Sequence, residues 1–183
     1  EVVQSEVGRI NSVVETLFDF AQHPRLTLER TNVADTVKGV LASFENELEA
    51  RSIKLKTELN EEKMEVDIDP VHFSQAVRNV VQNSIDAMPS GGELSVRTEQ
   101  QEDRCAVRVS DTGEGVSEQD SSLIFMPFFS TKEKGMGLGL TVANRIMKQH
   151  NGEVSLVANG DHGCIFELAL PQSEADHANH TGS

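Results

Sequence analysis

The chain has 183 residues, of which 37% are hydrophobic and only 4% aromatic, with no Trp and no Tyr. This composition is sufficient for one domain with an aliphatic core and an attached element. With 16 basic and 30 acidic residues the formal net charge is −14, which argues against a nucleic-acid partner and against an anionic membrane surface, because both need a basic face. A bound anion would need main-chain N–H groups, a few Lys or Arg side chains and a cation.

The first predicted element is a helix over residues 1–22. Its apolar residues are spaced 4, 3, 4, 3 and 4 apart, a heptad seam typical of a coiled coil or helical bundle: Val3, Val7, Ile10, Val14, Leu17 and Ala21. His23-Pro24 is expected to end the helix, because Pro disfavours helical backbone in the residue before it. A lone amphipathic helix packed on its own domain is the alternative. Because the seam is already running at Glu1, we expect a longer parent protein.

The next elements alternate between helices and strands. Asn32 is expected to cap a helix whose apolar face extends to Leu48. Residues 53–59 and 64–68 alternate in the manner of strands. Asp69-Pro70, a cap followed by Pro at the first helical position, is expected to begin a helix that ends near Met88.

The second half of the chain contains more strands than helices. Strands are predicted over residues 94–98 and 105–109, and the second leads directly into Asp111. Residues 117–138 are interpreted as an irregular, mobile loop that precedes a helix from Leu140 to His150, and two strands over residues 154–158 and 163–170 end the pattern. This order predicts an α+β domain, a two-layer α/β sandwich with a mixed sheet and helices on one face. We expect residues 23–31 to be a linker, 32–171 the folded domain and 172–183 a polar, disordered tail.

Both cysteines, Cys105 and Cys164, lie in alternating apolar stretches. They are expected to be buried free thiols in a reducing compartment. The sequence shows no stretch apolar for long enough to span a bilayer and no signal peptide. We therefore expect a cytoplasmic location, which is compatible with a membrane-anchored parent.

Polar residues interrupt the buried face of the helix that begins at Pro70. Asn79, Asn83 and Asp86 are spaced 4 and 3 apart and share one helical face, while neighbouring valines indicate that the helix is otherwise buried. A solvated polar face is the alternative. In "VSDTGEGV", Asp111 ends a strand and two glycines follow. A carboxylate there can accept a hydrogen bond from an exocyclic amine, with a flat ring against the glycine backbone; a simple turn is the alternative.

The stretch "IFMPFFSTKEKG" combines phenylalanines with Lys132 beside a glycine loop. We interpret it as a hinged lid, with a core-packing loop as the alternative. The loop continues into "EKGMGLGLTVANRIMKQHNG", where glycine occupies every second position before a helix. Glycine lets the backbone approach a ligand closely, and a helix start offers free N–H groups and a positive dipole end. The pattern predicts a phosphate site, with a flexible turn as the alternative.

In their order and spacing, these four stretches resemble the N box, first glycine box, F box and second glycine box of the nucleotide-binding domain of sensor histidine kinases. The resemblance covers residues 31–171. Residues 1–22 look like the second helix of the dimerisation and phosphotransfer bundle of that family, and "PFFSTKEKGMGLGL" is similar to the nitrogen-regulation subgroup. The resemblance implies an ATP-binding Bergerat fold and a homodimer formed through residues 1–22.

The resemblance also implies the residues that would bind Mg²⁺-ATP. Asn83 would bind the Mg²⁺, which neutralises the triphosphate. Asn79, with a catalytic role, and Asp86 would line the phosphate side, and Lys132 would reach the phosphates from the lid. The glycine loop and the start of its helix would cradle the phosphates through Gly135, Gly137, Leu138, Gly139, Leu140 and Thr141.

The same resemblance places adenine near the first glycine box. Asp111 would accept a hydrogen bond from the adenine amino group, and Gly113 and Gly115 would leave room for the ring. This chain departs from the family at Gly163-Cys164, where Gly-Thr is usual and the Thr supports the contact of Asp with adenine. Because Cys is a poorer hydrogen-bond partner than Thr, we expect weaker adenine binding. A redox role for Cys164 is a less favoured hypothesis than that of a small core residue.

The implied reaction transfers the ATP γ-phosphate to a His on a bundle helix and then to a response-regulator receiver domain. The acceptor motif of the family is His followed by an acid, with Pro a few residues later. That context surrounds none of the six histidines: His23, His72, His150, His162, His177 and His180. The acceptor is therefore expected on a helix that is not in this sequence.

Other classes with a similar fold are the alternatives. The resemblance extends to DNA gyrase, mismatch-repair and chaperone ATPases and to several protein kinases, which carry Glu as general base one helical turn before the Mg²⁺-binding Asn. Asn79 stands at that position here, and an amide does not accept a proton at neutral pH. We therefore prefer a histidine kinase, with a hydrolytic ATPase or a degenerate nucleotide-binding module as the alternatives.

Overall fold

The computed structural model describes the chain over residues 25–60, 64–101, 103–132, 135–160 and 163–172. The helix predicted over residues 1–22 lies outside these ranges, and so does the tail predicted over residues 172–183, apart from Gln172. The described part confirms the predicted α+β class, since helices cover one face of a mixed sheet. In these ranges, no helix combines the length and the apolar character needed to cross a membrane.

The elements follow one another in the predicted order, with two additions at the start of the chain. In chain order they are β1 (Glu29–Asn32), α1 (Val33–Ala42), α2 (Glu45–Ala50), β2 (Ile53–Glu58), β3 (Glu65–Ile68), α3 (Pro70–Asp86), β4 (Gly92–Gln100), β5 (Arg104–Asp111), α4 (Gly139–Gln149), β6 (Glu153–Gly160) and β7 (Gly163–Pro171). The main sheet has the order β2–β4–β5–β7–β6. β2 runs parallel to β4 and the other neighbours are antiparallel, so the sheet is mixed.

The longest of these helices, α3, lies at the centre of the core. Its start is fixed by Asp69, whose Oδ1 accepts hydrogen bonds from the N–H groups of Val71 and His72, both at 3.1 Å, with Pro70 at the first helical position. Except for Val71, which is 75% exposed in the first turn, its apolar side chains are buried and pack with those of α1, α4 and the sheet in one cluster. The polar residues of α3 are thereby directed to the opposite side, where the helix passes the end of β5.

The single helix predicted from Asn32 to Leu48 is wrong as one element, because the chain breaks it at Ser43 and Phe44. The Ser43 hydroxyl donates to the Val40 carbonyl at 2.6 Å, and the Ser43 N–H bonds to the same oxygen. These local bonds close α1 in place of a continuing helical ladder. The predicted buried face still holds, since Phe44 and Leu48 are both buried.

Strand β1 was not predicted; its first three residues belong to the expected linker and its last is Asn32, the expected helix cap. It pairs antiparallel with β3, from Glu29 opposite Ile68 to Asn32 opposite Glu65, in a sheet separate from the main one. Its sequence, ERTN, is polar at every position, so it carries no alternation from which a strand could be predicted. The folded domain therefore begins at least as early as Glu29.

Candidate functional site

A cavity of about 830 Å³ opens between α3, the segment that joins β5 to α4, and the neighbouring ends of β5 and β7. Most predicted site residues line it: Asn79, Asn83, Asp86, Asp111, Gly115, Lys132, Gly135, Gly137, Leu138, Gly139 and Leu140. Gly113 and Thr141 lie outside the lining. Gly113 donates its N–H to Asp111, and the Thr141 hydroxyl donates to the Phe125 carbonyl at 3.2 Å.

Asp111 is a buried carboxylate at the end of β5. Its Oδ1 accepts hydrogen bonds from the N–H groups of Gly113, at 3.0 Å, and Cys164, at 3.3 Å. These two main-chain donors fix the orientation of the carboxylate at the wall of the cavity. The arrangement suits an acceptor for an amino group of a bound ligand.

The polar face of α3 forms another wall of the cavity, with Asn79, Asn83 and Asp86 all half-buried. Asp86 is held from behind, because its Oδ1 accepts from Gln82 Nε2 at 3.1 Å and lies 3.4 Å from Arg51 Nη1. The prediction that the three polar residues share one face is therefore confirmed by their common position in the lining.

Lys132 joins the predicted lid to this wall. Its ammonium donates to Asn83 twice, to the side-chain Oδ1 at 3.1 Å and to the main-chain carbonyl at 3.0 Å. Burial lowers the pKa of Lys132, and the negative charges of Asp86, Glu114 and Asp111 oppose that effect. A cationic group thus already contacts the oxygen that the family resemblance implies as the Mg²⁺ ligand.

The glycine loop packs backbone against backbone at the start of α4. Gly137 has a φ of 66°, and a Cβ there would lie 2.2 Å from the carbonyl oxygen of Phe129, so a larger residue would displace the lid. Leu138, the N-cap of α4, makes no capping hydrogen bond with its side chain. The first N–H groups of α4 are therefore available to an anion in the cavity.

The charge of the lining decides which anion the cavity can accept. Four carboxylates, those of Asp86, Asp111, Glu114 and Asp120, face one ammonium, that of Lys132. A triphosphate would be repelled unless a divalent cation came with it. In the described residues no three His, Cys, Asp or Glu side chains form a metal cluster. The lining offers the amide oxygen of Asn83 and the carboxylate of Asp86, oxygen donors that fit Mg²⁺, which is commonly held by one or two protein ligands together with phosphates and water.

Cys164, the residue that departs from the family pattern, lies in the cavity lining and is buried. Its support for Asp111 comes through the main-chain N–H, which does not depend on the side chain. Burial and the negative charge of Asp111 raise the pKa of the Cys164 thiol to about 11, so the thiol stays protonated at neutral pH. This disfavours a redox role, which needs a thiolate. Cys105 is also buried and free, as predicted.

Several lining residues were not identified from the sequence, among them Gln82, Val116, Asp120, Ile124 and Phe166, whereas Phe129 had been assigned to the lid. Phe166 alternates with other core residues of β7 and gave no sign of facing a ligand. The others lie in irregular turns or beside the predicted polar residues, where no periodicity indicates which side chains point inward. Glu114 lies between the two glycines of the first glycine box, and its acidic side chain was a usable signal.

The fold and the cavity define a nucleotide-binding domain of the Bergerat type, and comparison with known proteins agrees. The chain belongs to the family described as histidine kinase-, DNA gyrase B- and HSP90-like ATPases, whose model matches residues 68–174, more than half of the sequence.

The similar proteins are kinases. The chain is 31% identical over 172 residues to the sensor histidine kinase ZraS of Salmonella typhimurium, which covers 93% of this chain and 37% of ZraS. It is 29% identical to sporulation kinase C of Bacillus subtilis, over 93% of this chain and 40% of that kinase. The chain thus spans well under half the length of these relatives.

Solved structures agree on the fold. The catalytic domain of the histidine kinase ThkA, in a nucleotide-free form, superposes with a TM-score of 0.74 at 27% identity, covering 80% of this chain and 97% of that domain. The structure of ThkA in complex with the response regulator TrrA superposes with a TM-score of 0.79 over 94% of this chain and 50% of that one. At 24% identity, the second likeness is one of fold.

Proposed function

We propose that this chain is the ATP-binding catalytic part of a two-component sensor histidine kinase. It transfers the γ-phosphate of ATP to a His on a bundle helix elsewhere in the parent protein, from which the phosphate passes to a response-regulator receiver domain. One observation carries the proposal: Asn83, Asp111 and the glycine loop converge on one cavity. The kinase names of the relatives support the same reading.

In this proposal the walls of the cavity have separate tasks. Asn83 holds Mg²⁺ through its amide oxygen, and the ion supplies the positive charge that the acidic lining lacks. Asp111 accepts a hydrogen bond from the adenine amino group. The glycine loop and the first N–H groups of α4 bind the phosphates. Lys132 exchanges its contact with Asn83 for the phosphates as the lid closes.

The identity of residue 79 favours a kinase that transfers phosphate to His over a hydrolytic ATPase. It lines the cavity one helical turn before Asn83, where the hydrolytic members of the fold carry a Glu that acts as general base. An amide does not take a proton from water, whereas an imidazole nucleophile needs little activation. Asn79 is thus proposed to position the reacting phosphate without promoting attack by water.

The phosphate acceptor is proposed to lie outside this chain. The two histidines in the described residues both serve the fold. His72 Nδ1 lies 2.9 Å from Asp69 Oδ1. His150 is buried; it accepts from the Asp69 N–H and donates to the Ile146 carbonyl. We also propose that residues 1–22 form a homodimer and complete a four-helix bundle with the acceptor helices. The proposed location is cytoplasmic.

The test is phosphorylation in trans. The chain is mixed with a separately produced phosphoacceptor hairpin of its parent, Mg²⁺ and γ-labelled ATP. We expect an acid-labile, alkali-stable label on the hairpin and none on the chain. Label on the chain itself would contradict an external acceptor and point first to His23. Absence of label from both species would favour a degenerate nucleotide-binding module, and rapid phosphate release without the hairpin would favour a hydrolytic ATPase.

Two variants make this experiment specific. Asn83→Ala removes the proposed Mg²⁺ ligand and should abolish labelling of the hairpin. Asn46→Ala is the matched control, since Asn46 is an exposed residue of α2 away from the cavity, and it should label the hairpin at the wild-type rate. Equal rates in the two variants would show that Asn83 is not the ligand.

A further inference from the structure

The end of β6 is fastened to the loop that follows Asp111. The Val116 N–H donates to Asn159 Oδ1 at 2.8 Å, and Asn159 Nδ2 donates to the Val116 carbonyl. One side-chain amide thereby satisfies both main-chain groups of Val116, in the way that a neighbouring strand would. Asn159 Oδ1 also lies 3.5 Å from the Cys164 thiol.

Close backbone packing brings the same two segments together beside this contact. Gly115 has a φ of 75°, and a Cβ at that position would lie 2.4 Å from the Gly160 carbonyl oxygen. Gly115 and Val116 both line the cavity. The last residues of β6, Asn159 and Gly160, therefore support this wall of the cavity.

A bulge in β6 explains how Asn159 reaches this position. Leu156 pairs with Phe166, and Asn159 pairs with Cys164. Between them the register shifts, because Val157 is an extra residue without a partner in β7. In a regular strand, residues three apart face opposite sides of a sheet. The bulge inserts one residue, so Asn159 shares the face of its partner Cys164, which lines the cavity.

We propose that Asn159 is a positioning residue that fixes the base-side wall of the nucleotide cavity. The inference rests on the proposed function, since it takes the ligand near Asp111 to be the purine. Asn159 acts through Val116 and not by touching the nucleotide. It holds Gly115 and Val116 where a flat ring can lie against them, so the loop is ordered before the nucleotide binds.

The first test needs no nucleotide. In the ligand-free chain, NMR hydrogen exchange at the Val116 amide should be slow in the wild type and faster in Asn159→Ala, with no change in Asn46→Ala. Asn159→Asp keeps the acceptor for the Val116 N–H and loses the donor to the Val116 carbonyl. The exchange rate of the Val116 amide in this variant should therefore lie between those of the wild type and Asn159→Ala. Equal exchange at Val116 in the wild type and Asn159→Ala would overturn the proposal.

The second test uses the phosphorylation assay in trans. Asn159→Ala should raise the KM for ATP about five- to tenfold, the scale of one net hydrogen bond, with kcat within about twofold of the wild type. General destabilisation would lower kcat through loss of folded protein. The KM of Asn159→Asp should lie between those of the wild type and Asn159→Ala. This variant provides the test if Asn159→Ala does not fold. A wild-type KM in both variants would overturn the proposal. Failure of the wild type to bind ATP would instead refute the proposed function, and the exchange experiment would still judge the contact between Asn159 and Val116.

Discussion

Asp111 shows how much a single residue depends on its main-chain neighbours. Both N–H donors that hold it, from Gly113 and Cys164, address the same oxygen, Oδ1. The departure from Gly-Thr to Gly163-Cys164 removes a side-chain hydroxyl but leaves the main-chain donor in place. The reduction in adenine affinity expected from the sequence should therefore be smaller than the loss of a Thr hydroxyl alone suggests.

Asp111→Asn should weaken ATP binding by about 1.5–3 kcal/mol, the scale of a hydrogen bond to a charged group. The two N–H donors would retain the oxygen end of the new amide, so its NH₂ group would face the amino group of adenine, donor against donor. Calorimetric titration with Mg²⁺-ATP measures the loss, and thermal unfolding of the ligand-free variant controls for misfolding. Unchanged affinity would remove Asp111 from the base-binding role.

Among the elements, α3 was the most predictable from the sequence. The start of α3 was predictable from the cap Asp69 and from Pro70. Its polar wall was predictable from the spacing of Asn79, Asn83 and Asp86, because helical spacing fixes which side chains share a face. β1 was not predictable, since its four residues are all polar and its pairing with β3 is a tertiary event. The break after α1 depended on local hydrogen bonds of Ser43 that periodicity does not report.

Asn159 was missed for a related reason. Alternation through residues 154–158 assigns Ala158 to the inner face of β6 and Asn159 to the outer face. The bulge at Val157 reverses that assignment, and an extra unpaired residue leaves no mark in a short apolar strand. The sequence thus predicted the strand correctly and could not predict the direction of its last side chains.

The contact between Lys132 and Asn83 joins the lid to α3. Lys132→Met keeps the apolar stem and removes the ammonium. We expect faster hydrogen exchange at the Gly135 amide in the ligand-free chain, and about tenfold or greater loss of ATP affinity, because a charged hydrogen bond to the phosphates is lost.

Lys54→Met is the matched control for this experiment, because Lys54 is exposed on β2 and lies outside the cavity. It should leave both measurements unchanged. If exchange at Gly135 were equal in the two variants, the contact with Asn83 would have no part in ordering the lid.

On the scale of the whole molecule, Asp69 connects segments that are distant in sequence. Its Oδ2 accepts from the Thr27 N–H at 2.9 Å, its Oδ1 caps α3, and its own N–H donates to His150 at the end of α4. Burial alone would raise the pKa of this carboxyl, but the hydrogen bonds from Thr27 and His72 and the neighbouring His72 ring lower it to about 2, from 3.8.

Because of this lowered pKa, the free energy of unfolding of the domain depends on pH in the acid range. A carboxyl whose pKa is lower in the folded state stabilises the fold above its unfolded pKa, and the contribution is lost as the pH falls through the folded pKa. Asp69→Asn should therefore lower the free energy of unfolding by about 2 kcal/mol at pH 7. The difference from wild type should shrink between about pH 4 and pH 2.

Urea unfolding as a function of pH measures this effect. Asp103→Asn is the control, since Asp103 is strongly exposed and lies 4.0 Å from Arg104; it should change the free energy of unfolding by less than about 0.5 kcal/mol. A difference between wild type and Asp69→Asn that stayed constant down to pH 2 would show that the carboxylate charge is not the source of the stabilisation.

The position of the lid between β5 and α4 has a consequence for how its length can change. β5 and β7 are neighbours in the sheet, with Cys105 opposite Leu170, so their pairing closes a loop that contains the lid and α4. The entropy of closing a flexible loop grows only with the logarithm of its length, about 0.6 kcal/mol for each doubling. Residues inserted into the segment between β5 and α4 near Glu118 and Gln119, which are exposed and outside the cavity lining, would therefore cost the sheet little. The depth and selectivity of the nucleotide cavity can in this way diverge between proteins while the folded framework is retained.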